Sequence, residues 1–390
     1  MFFKTKYPYR LLTPGPVPLH PDVQRVLAEP MIHHRTPEFE RCLRSVCERL
    51  KDTFSTQETV FIHASTGTGA MESALINTVS PGDKVLAVVS GKFGERWAQM
   101  AKIFGCEVIT HNVEWGEAVR AEDVSRLLRA NPDVKAVLTQ ACETSTATVH
   151  PIRELSALVR ERPETLLIVD AITAVGAMEL EMDQWGLDIV IGGSQKAFML
   201  PTGLGFIALS HKAWRFCERN KTPKFYFDLK LEKKALTKGE THFSSVVPLI
   251  RALDVALTHL TGERKKRTLA RIEKLAEVTR EAAPMLGLEV YSKAPSPSVT
   301  ALKTPAGVDS QKLRDHIEEK YNMTLMGGQD QLKGKILRIG HLGYITNEDM
   351  IALFDILYQA LRDFEVTSAT KAGRDQAIAL IKKHLPEPLA

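Results

Sequence analysis

Short apolar runs alternate with helical stretches through the middle of the chain. The runs show no polar alternation, which is typical of strands buried on both faces of a sheet. Helices between successive strands favour parallel pairing, so we predict an α/β fold with a mostly parallel sheet covered on both faces. The predicted strands are residues 60–63, 84–89, 107–110, 134–139, 166–170, 189–193 and 205–209, and the predicted helices are residues 70–79, 94–103, 119–129 and 152–160.

The pattern changes after about residue 249. A long helical stretch rich in Lys, Arg and Glu, residues 250–283, is broken at Gly262, and shorter elements follow it. We therefore expect a large domain over residues 21–262 and a smaller α+β domain over residues 263–390. Residues 1–20 are rich in proline, which fixes φ and removes a backbone donor, so this segment is predicted to be extended. The predicted strands after the break are residues 287–291, 299–302 and 335–340, and the predicted helices are residues 310–321, 347–364 and 375–385.

Composition excludes several classes of protein. Of the 390 residues, 44% are hydrophobic and 25% are charged, which is ordinary for a globular enzyme. The net charge of +4 gives no reason to expect nucleic acid or a membrane surface as a partner. No apolar run approaches the roughly 20 residues that span a bilayer. The cysteines are scattered without a Cys-x-x-Cys pair, and the start of the chain has no secretory pattern, so we expect reduced thiols in a cytoplasmic protein without a metal site.

Two polar residues follow predicted strands where a cofactor would need them. Asp170 ends the strand 166–170, and Lys196 comes shortly after the strand 189–193. Ligands of open α/β sheets gather at the carboxyl ends of the strands. Pyridoxal phosphate (PLP) requires a carboxylate that keeps its pyridine nitrogen protonated and a lysine that forms a Schiff base with its aldehyde. The alternatives are a helix-cap or turn role for Asp170 and a solvated loop position for Lys196.

A glycine-rich turn, residues 65–70, lies between a predicted strand and a predicted helix. Glycines allow a ligand to approach the backbone, and a helix N-terminus offers free N–H groups to a phosphate. Thr66 and Thr68 add hydroxyl groups. The glycine spacing fits neither a Walker loop nor a dinucleotide fingerprint, so ordinary turn chemistry is the alternative interpretation.

Three further side chains are candidates for ligand binding. Phe93 follows a strand and could stack on an aromatic ring, although a core position is the alternative. Thr144 lies in a hydroxyl-rich stretch after another strand, which could also be the start of a helix. Arg338 is a charge inside an apolar run, where its planar guanidinium suits either a substrate carboxylate or an internal salt bridge.

Taken together and in this order, these segments resemble the class V PLP-dependent aminotransferases. The resemblance is greatest to the alanine–glyoxylate and serine–pyruvate (or serine–glyoxylate) aminotransferases. It implies the PLP-dependent transferase fold type I, with a PLP cofactor and a mostly parallel sheet in the large domain. The resemblance covers nearly the whole chain, and the segments that carry it are residues 12–16, 33–39, 81–83, 194–196, 326–328 and 337–340.

The resemblance also implies roles for single residues. Lys196 would be the Schiff-base lysine and would move the proton at the substrate Cα, and Asp170 would pair with the pyridine nitrogen. Arg338 would bind the α-carboxylate of the amino acid, and Gly15 would line the substrate pocket from the N-terminal segment. The remaining implied contacts are stacking on the ring by Phe93, phosphate binding by Thr66, Gly67, Thr68 and Gln195, contact with the ring hydroxyl side by Thr144, and backing of the ring by Ile172.

The family is dimeric, with active sites shared across the interface. A segment of the neighbouring subunit usually supplies a Tyr and a Thr to the phosphate, and the matching segment here is residues 241–246. Phe243 stands where the Tyr is expected, so one phosphate hydrogen bond is predicted to be lost. Ser244 or Ser245 would replace the Thr. We therefore expect a homodimer whose phosphate contacts depart from those of the family.

The predicted activity is a ping-pong amino transfer from a small amino acid, alanine or serine, to a 2-oxo acid, glyoxylate or pyruvate. A 2-aminoethylphosphonate- or phosphoserine-type aminotransferase is an alternative, because its N-terminal motif is similar. A lyase or cysteine desulfurase is another, although the family's usual His before the lysine is Gln195 here. A binding protein that kept the fold without the chemistry is disfavoured, because both Asp170 and Lys196 are present.

Overall fold

The computed structural model describes residues 7–386 and residue 388, so residues 1–6, 387, 389 and 390 of the predicted domains lie outside the described residues. The strands are β1 (Arg10–Leu11), β2 (Val60–His63), β3 (Lys84–Val89), β4 (Glu107–Asn112), β5 (Ala136–Gln140), β6 (Cys142–Glu143), β7 (Thr148–Val149), β8 (Leu166–Asp170), β9 (Ile189–Gly193), β10 (Gly205–Leu209), β11 (Glu289–Val290), β12 (Val299–Lys303), β13 (Met323–Thr324), β14 (Met326–Gly327) and β15 (Ile336–Gly340). The helices are α1 (Pro21–Leu27), α2 (Pro37–Phe54), α3 (Gly67–Thr78), α4 (Lys92–Ile103), α5 (Ala121–Ala130), α6 (Ile152–Arg160), α7 (Met182–Trp185), α8 (His211–Arg219), α9 (Leu229–Leu236), α10 (Val247–Ala256), α11 (Gly262–Ala282), α12 (Ser310–Tyr321), α13 (Asn347–Asp363) and α14 (Lys371–His384).

A seven-stranded sheet with the order β2-β10-β9-β8-β5-β3-β4 organises the first two thirds of the chain. Strand β10 is antiparallel to both of its neighbours, and the other pairs are parallel. The carboxyl ends of β8 and β9 therefore lie side by side, with Asp170 opposite Ile191. This arrangement brings the residues that follow the two strands to the same edge of the sheet.

Both faces of this large sheet are buried, as the apolar strands predict. Along β3, Leu86 and Val88 pack on the face covered by α2, α5, α6 and α10, whereas Val85 and Ala87 pack on the face covered by α3, α4 and α8. The alternation follows from the two-residue period of a strand. Layers of helices on both faces exclude water from the sheet, so a ligand can reach it only at the ends of the strands.

A second core surrounds a four-stranded antiparallel sheet with the order β11-β12-β15-β14. Helix α11 reaches this core with Leu275 and Val278, and α12, α13 and α14 complete it. The N-terminal segment joins it too, because β1 pairs in parallel with β13 and the N–H group of Gly340 donates to the carbonyl of Leu12 at 2.8 Å. The predicted domain boundaries at residues 20 and 262 stay predictions, although the two cores accord with them.

The structure differs from the predicted elements in several places. The pattern assigned no element to residues 37–54, where α2 forms because Thr36 caps its N-terminus and Pro37 starts it. The helical stretch from residue 250 is interrupted over residues 257–261 rather than at Gly262 alone. The strand predicted over residues 287–291 shortens to β11. No helix within the described residues is both long and apolar enough to cross a membrane.

Candidate active site

Lys196 lies in the turn that follows β9, and only 9% of its surface is exposed. Its Nζ atom donates a hydrogen bond to the carbonyl oxygen of Pro14 at 2.6 Å. Burial lowers the pKa of the amine to about 8, and the nearby charge of Arg338 acts in the same direction. The lowered pKa makes the neutral, nucleophilic form of the amine accessible near neutral pH, and the burial of Lys196 shows that the solvated-loop interpretation is wrong.

Asp170 ends β8 one strand away from Lys196 and is 6% exposed. Its Oδ1 atom accepts the N–H group of Ile172 at 3.0 Å, so the side chain does cap the following turn. Burial raises the pKa of the carboxyl to about 6, and the N–H bond and the charge of Lys196 only partly oppose this effect. Among the described residues this carboxylate has no ion-pair partner. A protonated ring nitrogen would supply the missing positive charge.

The glycine-rich turn lies directly against Ile172, two residues after Asp170. Thr66 is the N-cap of α3, and its side chain makes no cap hydrogen bond. The N–H groups of Gly67 and Thr68 open the helix and have no acceptor within it. A Cβ atom on Gly67 would lie 2.5 Å from Cδ1 of Ile172, so a larger residue at this position would force the Ile172 side chain to shift.

Gln195 contributes a buried polar atom to the same edge of the sheet. Its Oε1 atom has no hydrogen-bond partner in the described part of the chain. A Cβ atom on Gly193 would lie 3.0 Å from this oxygen and 3.2 Å from Cγ2 of Ile172. Gln195, Ile172 and Gly67 therefore adjoin one another, and the amide can turn its NH₂ group toward an anion.

Phe93 lies in the first turn of α4 and is half-buried, with the guanidinium carbon of Arg96 4.9 Å from the centre of its ring. Thr144 lies in a turn after β6 rather than at the start of a helix. Its Oγ1 atom is 2.9 Å from Oγ1 of Thr173, which follows Asp170 along the chain. Both residues thus reach the edge of the sheet where Asp170 and Lys196 lie.

Glu143 is a residue of this site that the sequence analysis did not select. Its carboxylate is fully buried and accepts hydrogen bonds from the N–H groups of Phe93 at 3.1 Å and Gly94 at 3.0 Å, which start α4. It also accepts from Nε2 of Gln140 at 2.9 Å and from the N–H and hydroxyl groups of Ser145. Burial raises the pKa of this carboxyl. A Glu directly before Thr144 was visible in the sequence, but its contact with α4 spans about fifty residues and depends on the fold.

Arg338, on β15 of the second sheet, is 6% exposed. Nε donates to the carbonyl of Gly327 at 2.9 Å, and Nη1 donates to the carbonyl of Thr144 at 3.0 Å. Burial lowers the pKa of the guanidinium to about 10. No carboxylate of the described residues pairs with it, so the salt-bridge alternative is wrong. The buried positive charge is available to an anionic ligand, and Nη2 remains as a donor.

Gly15 closes the site from the N-terminal segment. Its φ of +141° lies in the region that favours glycine, and a Cβ atom there would be 2.2 Å from Nζ of Lys196. The segment therefore runs directly over the lysine. Ser244, by contrast, is exposed and lies beside Tyr226 and Phe243, and it forms no hydrogen bond with the described residues at the strand ends.

Within residues 7–386 and 388, no three His, Cys, Asp or Glu side chains lie close enough to hold a metal ion. The polar groups converge instead on one edge of the large sheet. They combine a nucleophilic amine, an unpaired carboxylate, free helix N–H groups and an unpaired guanidinium. This set can bind a ligand that has both an anionic group and a positively charged ring, together with a substrate that carries a carboxylate.

Comparison with known proteins identifies the family. The model of the class-V aminotransferases matches residues 23–355. A soluble hydrogenase 42 kDa subunit from Anabaena cylindrica is 37% identical, with 88% of this chain and 90% of the relative covered. An L-aspartate–glyoxylate aminotransferase from Paracoccus denitrificans is 35% identical, with 89% of each chain covered. A serine–glyoxylate aminotransferase from Methylorubrum extorquens is 34% identical, with 97% of each chain covered.

Solved structures agree with this assignment. A ureidoglycine–glyoxylate aminotransferase from Bacillus subtilis has a TM-score of 0.92 and 25% identity, over 97% of this chain and all of the other. A pyridoxamine–pyruvate aminotransferase from Mesorhizobium loti has a TM-score of 0.88 and 27% identity, over 96% of this chain and 97% of the other. The predicted family, fold type I and enzyme class are confirmed. The chain belongs to the class-V aminotransferases.

Proposed function

We propose that this aminotransferase uses PLP to move an amino group from a small amino acid, alanine or serine, to a 2-oxo acid, glyoxylate or pyruvate. The observation that carries the proposal is the position of buried Lys196 and buried Asp170 at the ends of neighbouring strands, with the guanidinium of Arg338 nearby and without a carboxylate partner among the described residues. The names of the serine–glyoxylate and pyridoxamine–pyruvate relatives support this choice of partners.

The residues present fit PLP at each part of the cofactor. Asp170 lacks a counter-charge and would hold the protonated ring nitrogen, with Phe93 and Ile172 on the two sides of the ring and Thr144 at its edge. The free N–H groups at the start of α3, the hydroxyls of Thr66 and Thr68, and the unpartnered amide of Gln195 would hold the phosphate. Bound PLP supplies an electron sink that acidifies the substrate Cα and stores the amino group between the two half-reactions.

Lys196 moves the proton in this mechanism. Its Nζ atom would take the proton from the substrate Cα, deliver it to the bound cofactor in the same half-reaction, and move a proton in the opposite direction in the second half-reaction. An amine with a pKa of about 8 suits both steps, because neither protonation state is strongly favoured near neutral pH. The carbonyl of Pro14, 2.6 Å away, holds Nζ by a hydrogen bond when the amine is free.

Arg338 orients the substrate. The carbonyls of Gly327 and Thr144 hold two of its nitrogens, so the guanidinium plane is already set before a carboxylate arrives. A carboxylate that pairs with it places the Cα–H bond relative to Lys196 and neutralises a buried charge. The segment through Gly15 covers the lysine and limits the access of water to the proton-transfer step.

The alternative reactions are not favoured. A desulfurase needs a reactive thiolate, and none of the cysteines is suited to that role. Cys142 is buried, and its burial raises the pKa of its thiol. Burial raises the pKa of the other thiols, to about 11 for Cys42, Cys106 and Cys217 and to about 12 for Cys47. The relatives described above at 34–37% identity are not named for phosphonate or phosphoserine substrates.

We further propose that two copies form a homodimer through an aromatic patch made of Phe225, Tyr226 and Phe243. Phe225 is 76% exposed and Tyr226 is 47% exposed, and the rings of Tyr226 and Phe243 stack 5.0 Å apart. Exposed aromatic clusters of this kind mark interfaces. Ser244 lies next to the patch and would reach the phosphate of the neighbouring subunit. The free thiols of the cysteines accord with a cytoplasmic location, which stays part of the proposal.

The visible absorption of the purified protein tests the activity. Protein-bound PLP absorbs in the visible, and excess L-serine or L-alanine should bleach this band as the amino group is transferred. Glyoxylate or pyruvate should restore it. L-Aspartate serves as the comparison donor, since the Paracoccus relative is named for it. A band that responds to aspartate alone would overturn the choice of donor, and a protein that binds no PLP would overturn the proposal as a whole.

A further inference from the structure

Arg96 is a cation near the active site with no carboxylate partner among the described residues. It lies one turn after Phe93 on α4, and its guanidinium carbon is 4.9 Å from the centre of that ring. Nη1 donates to Oγ1 of Thr68 at 3.1 Å. The nearest acid on the helix, Glu95, pairs with Lys92 instead. Arg96 is therefore held between a ring and a hydroxyl, without a carboxylate of the described residues at ion-pair distance.

Thr68 connects Arg96 to the start of α3. Its hydroxyl accepts from Arg96, so its own proton is free to be donated to a second acceptor. The N–H groups of Gly67 and Thr68 have no intrahelical acceptor, and the positive end of the helix dipole lies at the same place. An anion bound here would receive backbone N–H groups, a hydroxyl and a guanidinium together. A dianionic phosphate is the ligand that this set of donors suits best.

The charge of Arg96 is also felt at the centre of the site. It lowers the pKa of Asp170 and that of Lys196, although burial is the largest influence on both groups. Arg96 thus lies close enough to act on a ligand that bridges the glycine-rich turn and Lys196. Without such a ligand, Arg96 and Arg338 are two positive charges near one site, and no carboxylate of the described residues lies within ion-pair distance of either, which is unfavourable in a partly dehydrated environment.

We propose that Arg96 is a further cofactor-binding residue. Its guanidinium pairs with the phosphate group at the start of α3, on the side where Thr68 lies. This inference rests on the proposed PLP cofactor. Arg96 would then contact both the phosphate and the ring of Phe93, so one side chain would support both. Loss of the guanidinium should weaken the binding of a phosphorylated ligand more than that of its dephosphorylated form.

Equilibrium binding to the apo-protein tests the inference without any turnover. The dissociation constants of PLP and of pyridoxal, which lacks the phosphate, are measured for the wild type and for Arg96→Gln and Arg96→Lys. Arg96→Gln should weaken PLP binding roughly 10- to 100-fold, the range for a hydrogen bond to a charged group, and pyridoxal binding less than about threefold. Arg96→Lys keeps the charge, so its dissociation constant for PLP should lie between those of the wild type and Arg96→Gln. Lys102→Gln, an exposed position on the same helix, is the matched control and should bind both ligands as the wild type does.

Two results would overturn the inference while the cofactor assignment stands. Equal weakening of PLP and pyridoxal by Arg96→Gln would mean that Arg96 only supports the Phe93 ring. Unchanged binding of both would mean that Arg96 has no part in the site. A wild-type protein that binds neither ligand would instead overturn the proposed cofactor, and this inference with it. Circular dichroism of each variant separates a loss of binding from a loss of folding.

Discussion

The Nζ atom of Lys196 donates a hydrogen bond to the carbonyl oxygen of Pro14 at 2.6 Å, across 182 positions of sequence. Pro14 belongs to a segment that is anchored in the second core, through the pairing of β1 with β13 and the bond between Leu12 and Gly340 of β15. The reactive amine of one core is therefore tied to a segment attached to the other. A relative movement of the two sheets would reach the lysine directly.

The first prediction concerns Gly15. A Cβ atom at this position would lie 2.2 Å from Nζ of Lys196, so Gly15→Ala should displace the lysine or the segment that covers it. We expect the amount of bound PLP or the rate of amino transfer to fall at least about tenfold, which corresponds to roughly 1.4 kcal/mol. Absorption of the bound cofactor and steady-state kinetics measure the effect.

Gly307→Ala is the matched control for this change. Gly307 also has a positive φ, +83°, but a Cβ atom there would meet nothing within 4 Å. Gly307→Ala should lower the free energy of unfolding by only roughly 1 kcal/mol, because alanine is strained at this φ. If Gly15→Ala and Gly307→Ala lowered activity equally, crowding of Lys196 would not be the cause.

The second prediction is a pH dependence set by Lys196. Burial lowers its pKa to about 8, so the neutral amine becomes the major form above about pH 8 instead of above 10.5. The rate of PLP uptake by the apo-protein should rise about tenfold per pH unit below pH 8 and level off above it, because the neutral amine is the nucleophile. Stopped-flow absorbance measures the profile. A rate that still rises at pH 10 would contradict the lowered pKa.

The third prediction is that Asp170 costs stability in the apo-protein. Burial raises its pKa to about 6, against 3.8 in the unfolded chain, so unfolding releases protons between these pH values. Stability is therefore lost as the pH rises from about 4 to about 6, up to about 3 kcal/mol in total. Asp170→Asn should stabilise the apo-protein by up to this amount at pH 7 and by nothing at pH 3.5, as measured by urea unfolding.

The same variant should lose activity. The amide of Asn cannot hold a proton on the ring nitrogen by charge, so amino transfer should fall by on the order of a hundredfold or more. An Asp170→Asn protein that is both less stable at pH 7 and fully active would contradict the role of this carboxylate in both respects.

The fourth prediction concerns Glu143, which joins α4 to the turn that holds Arg338. In Glu143→Gln, an NH₂ group replaces one acceptor oxygen and faces the N–H groups of Phe93 and Gly94. We expect a loss of about 1–3 kcal/mol in stability, the usual cost of unsatisfied buried donors, and a lower kcat/KM. Glu122→Gln, on an exposed helix position, should change neither. Unchanged unfolding and kinetics for Glu143→Gln would show that the carboxylate is dispensable.

The fifth prediction is that Arg338→Lys separates substrate binding from cofactor binding. Lysine cannot donate to the carbonyls of Gly327 and Thr144 and to a carboxylate in the same fixed plane. The KM for the amino acid should rise roughly 30- to 100-fold, in line with the loss of a charge-assisted pair, while the affinity for PLP stays within about threefold. A change in PLP affinity alone would contradict the assignment of Arg338 to the substrate.

Several elements followed from local pattern. The strands β2, β3, β8, β9 and β10 were predicted with their observed bounds, because each is a short apolar run closed by a turn and buried on both faces. Helix α2 was missed, since its apolar positions are spread through a strongly charged stretch that has no marked break in composition. Strand β1 and its partner β13 are two residues long, and pairs this short have no pattern of their own.

The sequence by itself determined the mostly parallel sheet and the family, and it indicated Lys196, Asp170 and Arg338 as candidate site residues, because residue type and position relative to a strand depend on local order alone. Only the tertiary structure decided that Pro14 lies on Lys196, that Glu143 holds the start of α4, and that Arg96 reaches Thr68 without an acidic partner. These contacts join residues that are 28 to 182 positions apart. They exist because packing of two cores brings distant segments together, and burial then shifts the pKa values that make the site reactive.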